Sequence, residues 1–217
     1  MMRAPDDQAL TETGAEIASP APARLLLLAC GALAHEVLAL IEANGWTHMR
    51  LTCLPAKLHL YPERIAPEVA RAVEANRESF DDIYVLYADC GTGGLLAAKC
   101  AELGVEMLEG PHCYSFFEGN AEFATHSDDE ITAFYLTDFL VRQFDAFVIR
   151  PMGLDRHPEL RDIYFGNYTK LVYQAQTRDA ALTDLARAHA ERLGLAFEYR
   201  FTGYGDLARA LHERAKA

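Results

Sequence analysis

The hydrophobic positions of this chain fall into short apolar runs that alternate with segments of helical periodicity. Short apolar runs bounded by polar or turn residues predict buried strands, whereas apolar residues spaced three and four apart predict helices. Strands are predicted in this way over residues 24–29, 49–52, 83–88, 105–108, 146–149 and 196–201. Helices are predicted over residues 32–43, 62–80, 95–103, 131–144, 168–176 and 180–193, with a final helix from Asp206.

This alternation of strands and helices predicts an α/β fold with a mostly parallel, doubly wound, Rossmann-like sheet in three layers. The chain has 217 residues, of which 51% are hydrophobic, so it can bury one substantial core. Residues 24–217 are therefore expected to form a single α/β domain, or two small lobes. Residues 1–23 are polar and contain three prolines, and we predict that they form a disordered leader.

Charge and cysteine content narrow the possible functions. The formal net charge of -12 argues against nucleic-acid binding, which needs a basic surface. No apolar run is long enough to span a bilayer, so no membrane association is expected. There are five cysteines and no recognisable secretion signal, which indicates a cytoplasmic, reducing location where thiols stay free, bind metal or react.

Four of the five cysteines follow predicted strands directly or lie in the loop after one. Because parallel strands end at the same edge of a sheet, these four thiols are expected to face one crevice. Thiolates are soft ligands that select zinc or iron-sulfur clusters, and the sequence leaves these two cofactors undecided. The predicted metal ligands are Cys30, Cys53, Cys90 and Cys113. The fifth cysteine, Cys100, lies on an apolar helix face and is expected to be core.

The other candidate residues lie in the turn after the strand at 83–88 or close to the cysteines of the neighbouring loops. Asp89 and His112 stand directly before Cys90 and Cys113, and both are candidate proton-transfer residues in catalysis. The turn lacks the spacing of a dinucleotide or phosphate-binding loop, so we expect a different small-molecule substrate. The predicted substrate-binding residues are His59, which is also a candidate ligand or proton carrier, together with Gly91, Thr92 and Gly93.

Two alternatives to a metal site remain open at this stage. Free cysteine is often buried as a small hydrophobic residue, so the strand-end thiols could simply be packed. The thiols could also act without metal, as in an enzyme of racemase or lyase type that uses cysteines with lowered pKa values.

Several sequence blocks together resemble a known family. These blocks, which run from about Leu25 to the C-terminus, are Ala29-Cys30-Gly31-Ala32-Leu33, Cys53-Leu54-Pro55-Ala56-Lys57-Leu58-His59, Tyr87-Ala88-Asp89-Cys90-Gly91-Thr92-Gly93, Gly110-Pro111-His112-Cys113-Tyr114, Gly166-Asn167-Tyr168 and Thr202-Gly203-Tyr204-Gly205. The chain resembles the bacterial and archaeal domain of unknown function family number 1638. That resemblance implies a gene neighbourhood with corrinoid-dependent methyltransferase systems, and it supplies no established catalytic residues.

The main hypothesis combines the residues with this resemblance. It is a metal-binding α/β protein, holding zinc or an iron-sulfur cluster, that acts on a small molecule in one-carbon or methyl-group metabolism. The resemblance also implies an alternative, a cofactor accessory protein for a corrinoid methyltransferase partner. Whether the protein is an enzyme stays open.

Overall fold

A computed structural model describes residues 5–17, 22–126 and 129–216. The chain divides into two compact units. The first unit contains the chain up to Cys113 and again from Leu207, and the second contains Tyr114 to Asp206. Each unit has its own parallel strands, and each is described separately below.

Within the described residues, the first unit contains five strands and five α-helices. The strands are β1 (Ala15–Ile17), β2 (Leu25–Cys30), β3 (Met49–Leu54), β4 (Asp82–Leu86) and β5 (Glu106–Met107). The helices are α1 (Asp7–Glu12), α2 (Ala34–Asn44), α3 (Ile65–Asn76), α4 (Leu95–Leu103) and α10 (Gly205–Arg214). α10 is the last helix of the chain and belongs to this unit from Leu207 on. Short 3-10 helices occupy Gly31–Leu33, Ala56–Leu60 and Pro62–Arg64.

The sheet of the first unit, sheet A, has the strand order β1-β3-β2-β4-β5. The four strands from β2 to β5 are parallel, and the short β1 pairs antiparallel with the edge of β3. All six residues of β2 are buried, which explains why its sequence is a continuous apolar run. The chain leaves β2 for β3 on one side and then crosses to β4 on the other, so the strand order reverses at β2. Ligands of open α/β sheets bind at the carboxyl ends of strands beside such a reversal.

The part of the second unit that the structure describes contains three strands and five α-helices. The strands β6 (Ala133–Leu136), β7 (Lys170–Ala175) and β8 (Ala196–Phe201) form sheet B in the order β6-β7-β8, all parallel. The helices are α5 (Ser115–Glu118), α6 (Asn120–His126), α7 (Asp138–Arg142), α8 (Arg161–Phe165) and α9 (Ala180–Leu193). A π-helix at Asp145–Ile149 and a 3-10 helix at Pro158–Leu160 complete the unit.

One face of sheet B is apolar and the other is charged. Leu136, Leu171 and Tyr173 pack with residues of α7 and α9 into a single core. On the opposite face, Arg200 pairs with Glu118, Glu130 and Glu198, and Lys170 pairs with Glu130 and Glu198. The strict alternation of side chains along a strand produces this separation.

The predicted fold class, α/β with a mostly parallel sheet, is confirmed. The structure forms strands near 24–29, 49–52, 83–88, 105–108 and 196–201, as the apolar runs predict. Helices occur within the predicted segments 32–43, 62–80, 95–103 and 180–193, and after Asp206. The strands are divided between sheet A and sheet B rather than continuous in one sheet.

Three element predictions in the second unit are wrong. The predicted helix over 131–144 begins with strand β6, and the predicted helix over 168–176 is strand β7. The predicted strand over 146–149 is a π-helix that follows α7. β7 is buried at five of its six positions, so its sequence has no periodicity by which helix and strand can be distinguished. The segment 131–144 contains both β6 and α7, so a single helix does not describe it.

The predicted disordered leader is wrong for residues 7–17. Asp6 caps α1 by accepting hydrogen bonds from the backbone N–H groups of Gln8 and Ala9, and Leu10 of this helix is fully buried. Gly14, with φ of +76°, turns the chain from α1 into β1. Residues 1–4 and 18–21 of the predicted leader lie outside the described residues. In the described part of the chain, no helix has the length and apolar character that crossing a bilayer requires.

Candidate metal centre

Four loops of the first unit meet at the carboxyl edge of sheet A. Cys30 is the last residue of β2, and His59 lies in the 3-10 helix that follows β3. Cys90 follows β4 and Cys113 follows β5. Topology therefore brings together residues that are far apart in sequence, beside the strand where the order of sheet A reverses.

The turn after β4 holds Cys90 in an uncommon conformation. Cys90 has φ of +48°, which is unusual for a residue other than glycine, and such strained residues cluster at functional sites. Its backbone N–H donates to the carbonyl of Pro111, 3.1 Å away, and the N–H of Asp89 donates to the carbonyl of Gly110 at 2.9 Å. These two bonds fix the Cys90 loop against the loop that carries Cys113.

The carboxylate of Asp89 organises this turn. It accepts hydrogen bonds from the backbone N–H groups of Gly93 and Gly94, at 3.1 and 2.7 Å, and from the Thr92 hydroxyl at 2.8 Å. These donors, the N–H of Gly94 first, lower the pKa of Asp89 below its ordinary value. The side chain of Asp89 thus has a structural role as the cap of the turn.

His59 is held by the 3-10 helix between β3 and α3. Its neighbours Ala56 and Leu58 are buried and anchor this helix, while Pro55 begins it. The Nδ1 atom of His59 lies 3.2 Å from the Ala56 carbonyl oxygen and 3.6 Å from the Sγ atom of Cys30. Acceptors on the Nδ1 side direct the other ring nitrogen, Nε2, toward a different partner.

The Nε2 atom of His59 faces two thiols. It lies 3.2 Å from Cys90 Sγ and 3.8 Å from Cys113 Sγ, and the two sulfur atoms are 3.2 Å apart. Two sulfurs on one tetrahedral zinc ion are about 3.8 Å apart, and a sulfur and a nitrogen about 3.5 Å, for the usual bond lengths. His59, Cys90 and Cys113 are therefore close enough to hold one metal ion, and we call them the His-Cys-Cys triad.

The electrostatics of the triad favour one ionised thiol. The hydrogen bond from Cys113, together with the hydrogen bond and charge of His59, outweighs burial and lowers the pKa of Cys90 to about 4. The same hydrogen bond to Cys90, with burial, raises the pKa of Cys113 well above its ordinary value. Burial alone would lower the pKa of His59. The interactions with Cys30 and Cys90 raise it by more than burial lowers it, so the pKa of His59 is well above its ordinary value. These interactions favour the thiolate form of Cys90 over that of Cys113.

The two other predicted ligands lie outside the triad. Cys30 is buried against the Nδ1 side of the His59 ring, and its sulfur accepts a hydrogen bond from the N–H of Ala32 at 3.4 Å. Cys53 is buried one residue before the end of β3. Burial first, and then the charges of Cys30 and Glu36, raise the pKa of Cys53.

The remaining predicted site residues lie next to the triad in sequence. Thr92 is buried, and its hydroxyl is bonded to Asp89, while Gly91 and Gly93 have positive φ values that the turn requires. His112 is half-buried and precedes Cys113. Cys100 is buried on α4, as its helical position predicts.

Tyr87 is a site residue that the sequence did not single out. It follows β4 and is fully buried, and its ring lies almost parallel to that of His59, with centroids 6.1 Å apart. Burial raises the pKa of the Tyr87 hydroxyl, and so do the nearby Cys30, Cys113, Cys53 and Cys90. A tyrosine at the end of an apolar strand is normally core, so nothing in the sequence distinguishes this position.

Comparison with known proteins identifies the family. No curated protein matches the chain. A family model described as "Protein of unknown function (DUF1638)" matches residues 53–211, which include all three residues of the His-Cys-Cys triad and begin after Cys30. Because this match covers more than half of the 217 residues, the chain belongs to the DUF1638 family.

Proposed function

We propose that the first unit holds a single metal ion through the His-Cys-Cys triad and presents one open coordination position to a small molecule. The observation that supports this proposal is that one nitrogen and two sulfur atoms, from three separate loops, lie within 4.8 Å of one another. Zinc sites with three protein ligands of this kind are usually catalytic, because the fourth position stays available to water or substrate. Four-ligand sites are usually structural.

Zinc is the metal that fits this donor set best. Two thiolates and one imidazole suit zinc, and together they give a site without net charge. A cubane iron-sulfur cluster places its cysteines on different iron atoms, whereas Cys90 Sγ and Cys113 Sγ are only 3.2 Å apart. The close approach of the two sulfurs therefore argues against a cubane cluster, and the three ligands of the triad are fewer than the four that a [2Fe–2S] cluster takes.

Bound zinc would act as a Lewis acid at the open position. The chain's own residues would orient the donors: Asp89 holds the Cys90 turn, and the Ala56 carbonyl holds the His59 ring. The narrower proposal is that the bound molecule belongs to one-carbon or methyl-group metabolism. It is supported by the family resemblance alone, as is a corrinoid methyltransferase partner.

Cobalt binding tests the proposed centre. Titration of the anaerobically purified, metal-free protein with Co²⁺ should give one equivalent of binding and an intense sulfur-to-cobalt charge-transfer absorption. Cys113→Ala should abolish this absorption, because it removes one of three ligands. The matched control Cys100→Ala removes a buried thiol of the same unit and should bind as the wild type does. A folded wild-type protein that binds no cobalt, or equal binding by both variants, would overturn the proposal.

A metal-free alternative is supported by the pair formed by Cys90 and His59. A thiolate 3.2 Å from an imidazole nitrogen resembles the nucleophile and base of thiol enzymes, and the pKa of Cys90 is lowered to about 4. Alkylation of the metal-free protein by iodoacetamide would distinguish the two. The alternative expects Cys90 to react fastest at neutral pH and the protein to retain no metal after purification. It fails if Cys90 is unreactive in the metal-free protein.

A further inference from the structure

The Tyr87 hydroxyl is a buried polar group without a hydrogen-bond partner among the described residues. The side chain is 0% exposed, so bulk water does not reach it. Leaving a buried donor unsatisfied destabilises the folded state, and native proteins rarely carry such groups without a reason. A partner that binds from outside the chain is one such reason.

The surroundings of this hydroxyl connect it to the triad. Tyr87 stands three residues before Cys90, and its ring lies alongside that of His59. The thiols of Cys30, Cys113, Cys53 and Cys90 all interact electrostatically with the hydroxyl, yet none is placed to accept its hydrogen bond. Because the ring is fully buried at the end of β4, packing holds Tyr87 in place alongside the His59 ring.

We propose that the Tyr87 hydroxyl donates a hydrogen bond to the anionic oxygen or sulfur atom of a small molecule bound at the open position of the His-Cys-Cys triad. This inference rests on the proposed function, and it specifies the class of ligand. Tyrosine is a hydrogen-bond donor that matches an acceptor atom, and a charged acceptor makes the stronger bond. Burial and the neighbouring thiols raise the pKa of Tyr87, so the hydroxyl keeps its proton at neutral pH.

The first test uses acetate as a simple anionic probe of the cobalt-loaded protein. Acetate bound at the cobalt should change its visible spectrum, and a titration then gives the affinity. Tyr87→Phe keeps the ring and removes the hydroxyl, so it should weaken acetate binding roughly tenfold or more while the affinity for Co²⁺ changes little. Tyr84→Phe is the matched control, because Tyr84 is also buried on β4 but its hydroxyl interacts with Arg214. This control should bind acetate as the wild type does.

The second test measures the metal-free protein by urea unfolding. Removing an unsatisfied hydroxyl should leave Tyr87→Phe as stable as the wild type or more stable, whereas Tyr84→Phe loses a hydrogen bond and should be less stable. If Tyr87→Phe destabilises the metal-free protein and leaves acetate affinity unchanged, the hydroxyl is a structural group and the inference is overturned.

The outcomes separate this inference from the proposed function. If the wild type binds no cobalt, the proposed metal centre fails and the inference fails with it. If the wild type binds cobalt but not acetate, or if Tyr87→Phe binds acetate equally well, only the role of Tyr87 is overturned. Weaker acetate binding by Tyr87→Phe at unchanged cobalt affinity supports both.

Discussion

Buried polar side chains lie at the carboxyl edges of both parallel sheets, but they differ in whether their hydrogen-bonding groups have partners. At the edge of sheet B, Asp138 is 1% exposed, and its carboxylate accepts hydrogen bonds from the Tyr173 hydroxyl, the backbone N–H of Gln176, and both the N–H and the hydroxyl of Thr177. At the edge of sheet A, the Tyr87 hydroxyl has no partner among the described residues, and Cys90 is in a strained conformation.

By this difference, the carboxylate of Asp138 is a structural group, whereas the Tyr87 hydroxyl is the group that we propose binds a ligand. A buried carboxylate with four donors is satisfied within the chain, so it needs nothing further and joins the loops after β6 and β7. The thiols of Cys90 and Cys113 are grouped closely, and the Tyr87 hydroxyl has no hydrogen-bond partner among the described residues. A metal ion and its fourth ligand would complete them.

The largest expected effect is on stability, and it concerns Asp138 at the carboxyl edge of sheet B. Asp138→Ala should lower the free energy of unfolding by roughly 3 kcal/mol, because it leaves several buried donors without an acceptor. Urea unfolding measures this loss, and Asp184→Ala, at an exposed position of α9, is the control. Cobalt affinity should remain that of the wild type. If Asp138→Ala also abolished cobalt binding, the contrast between the two edges would be lost.

A smaller effect is expected for Cys30, which lies beside the Nδ1 atom of His59 rather than among the triad sulfurs. Cys30→Ala should weaken zinc binding by about 10- to 100-fold, the usual effect of removing a group that orients a metal ligand. Cys53→Ala should bind zinc as the wild type does. Competition with a zinc-binding dye gives both affinities. Complete loss of zinc binding by Cys30→Ala would instead make Cys30 a ligand.

The smallest effect concerns pH and the charged face of sheet B. Burial would raise the pKa of Glu130, but hydrogen bonds from Arg200 and Lys170 outweigh it and lower the pKa. A lowered carboxyl pKa contributes stability above the ordinary value of about 4.3, and this contribution is lost as the pH falls. Glu130→Gln should therefore be less stable than the wild type at pH 7, and the difference should shrink by pH 3 in urea unfolding. The exposed variant Glu122→Gln should show no such change, and a constant difference for Glu130→Gln would contradict the assignment.

The sequence predicts where the site lies better than it predicts which residues form it. The rule that parallel strands end together was enough to place the loops of Cys30, Cys90 and Cys113 at one edge of sheet A. Side-chain direction reverses with each residue of a strand, so the orientation of Cys53 depends on where β3 ends to within one residue. The sequence does not fix strand ends that closely.

Other parts of the site depend on tertiary contacts that have no sequence signal. The direction of the His59 ring follows from the Ala56 carbonyl and Cys30, and Tyr87 is singled out because its hydroxyl has no partner among the described residues. In the second unit, the sequence of β7 shows no clear periodicity because the strand is almost fully buried, and the segment 131–144 contains both β6 and α7.

X-ray absorption spectroscopy at the zinc edge of the zinc-loaded protein tests the central claim most directly. The claim predicts two sulfur ligands at about 2.3 Å and nitrogen or oxygen ligands at about 2.0 to 2.1 Å, one from His59 and one from outside the chain. The same measurement on Cys113→Ala should show one sulfur at most. A shell of four sulfurs, or a shell without sulfur, would contradict a centre formed by His59, Cys90 and Cys113.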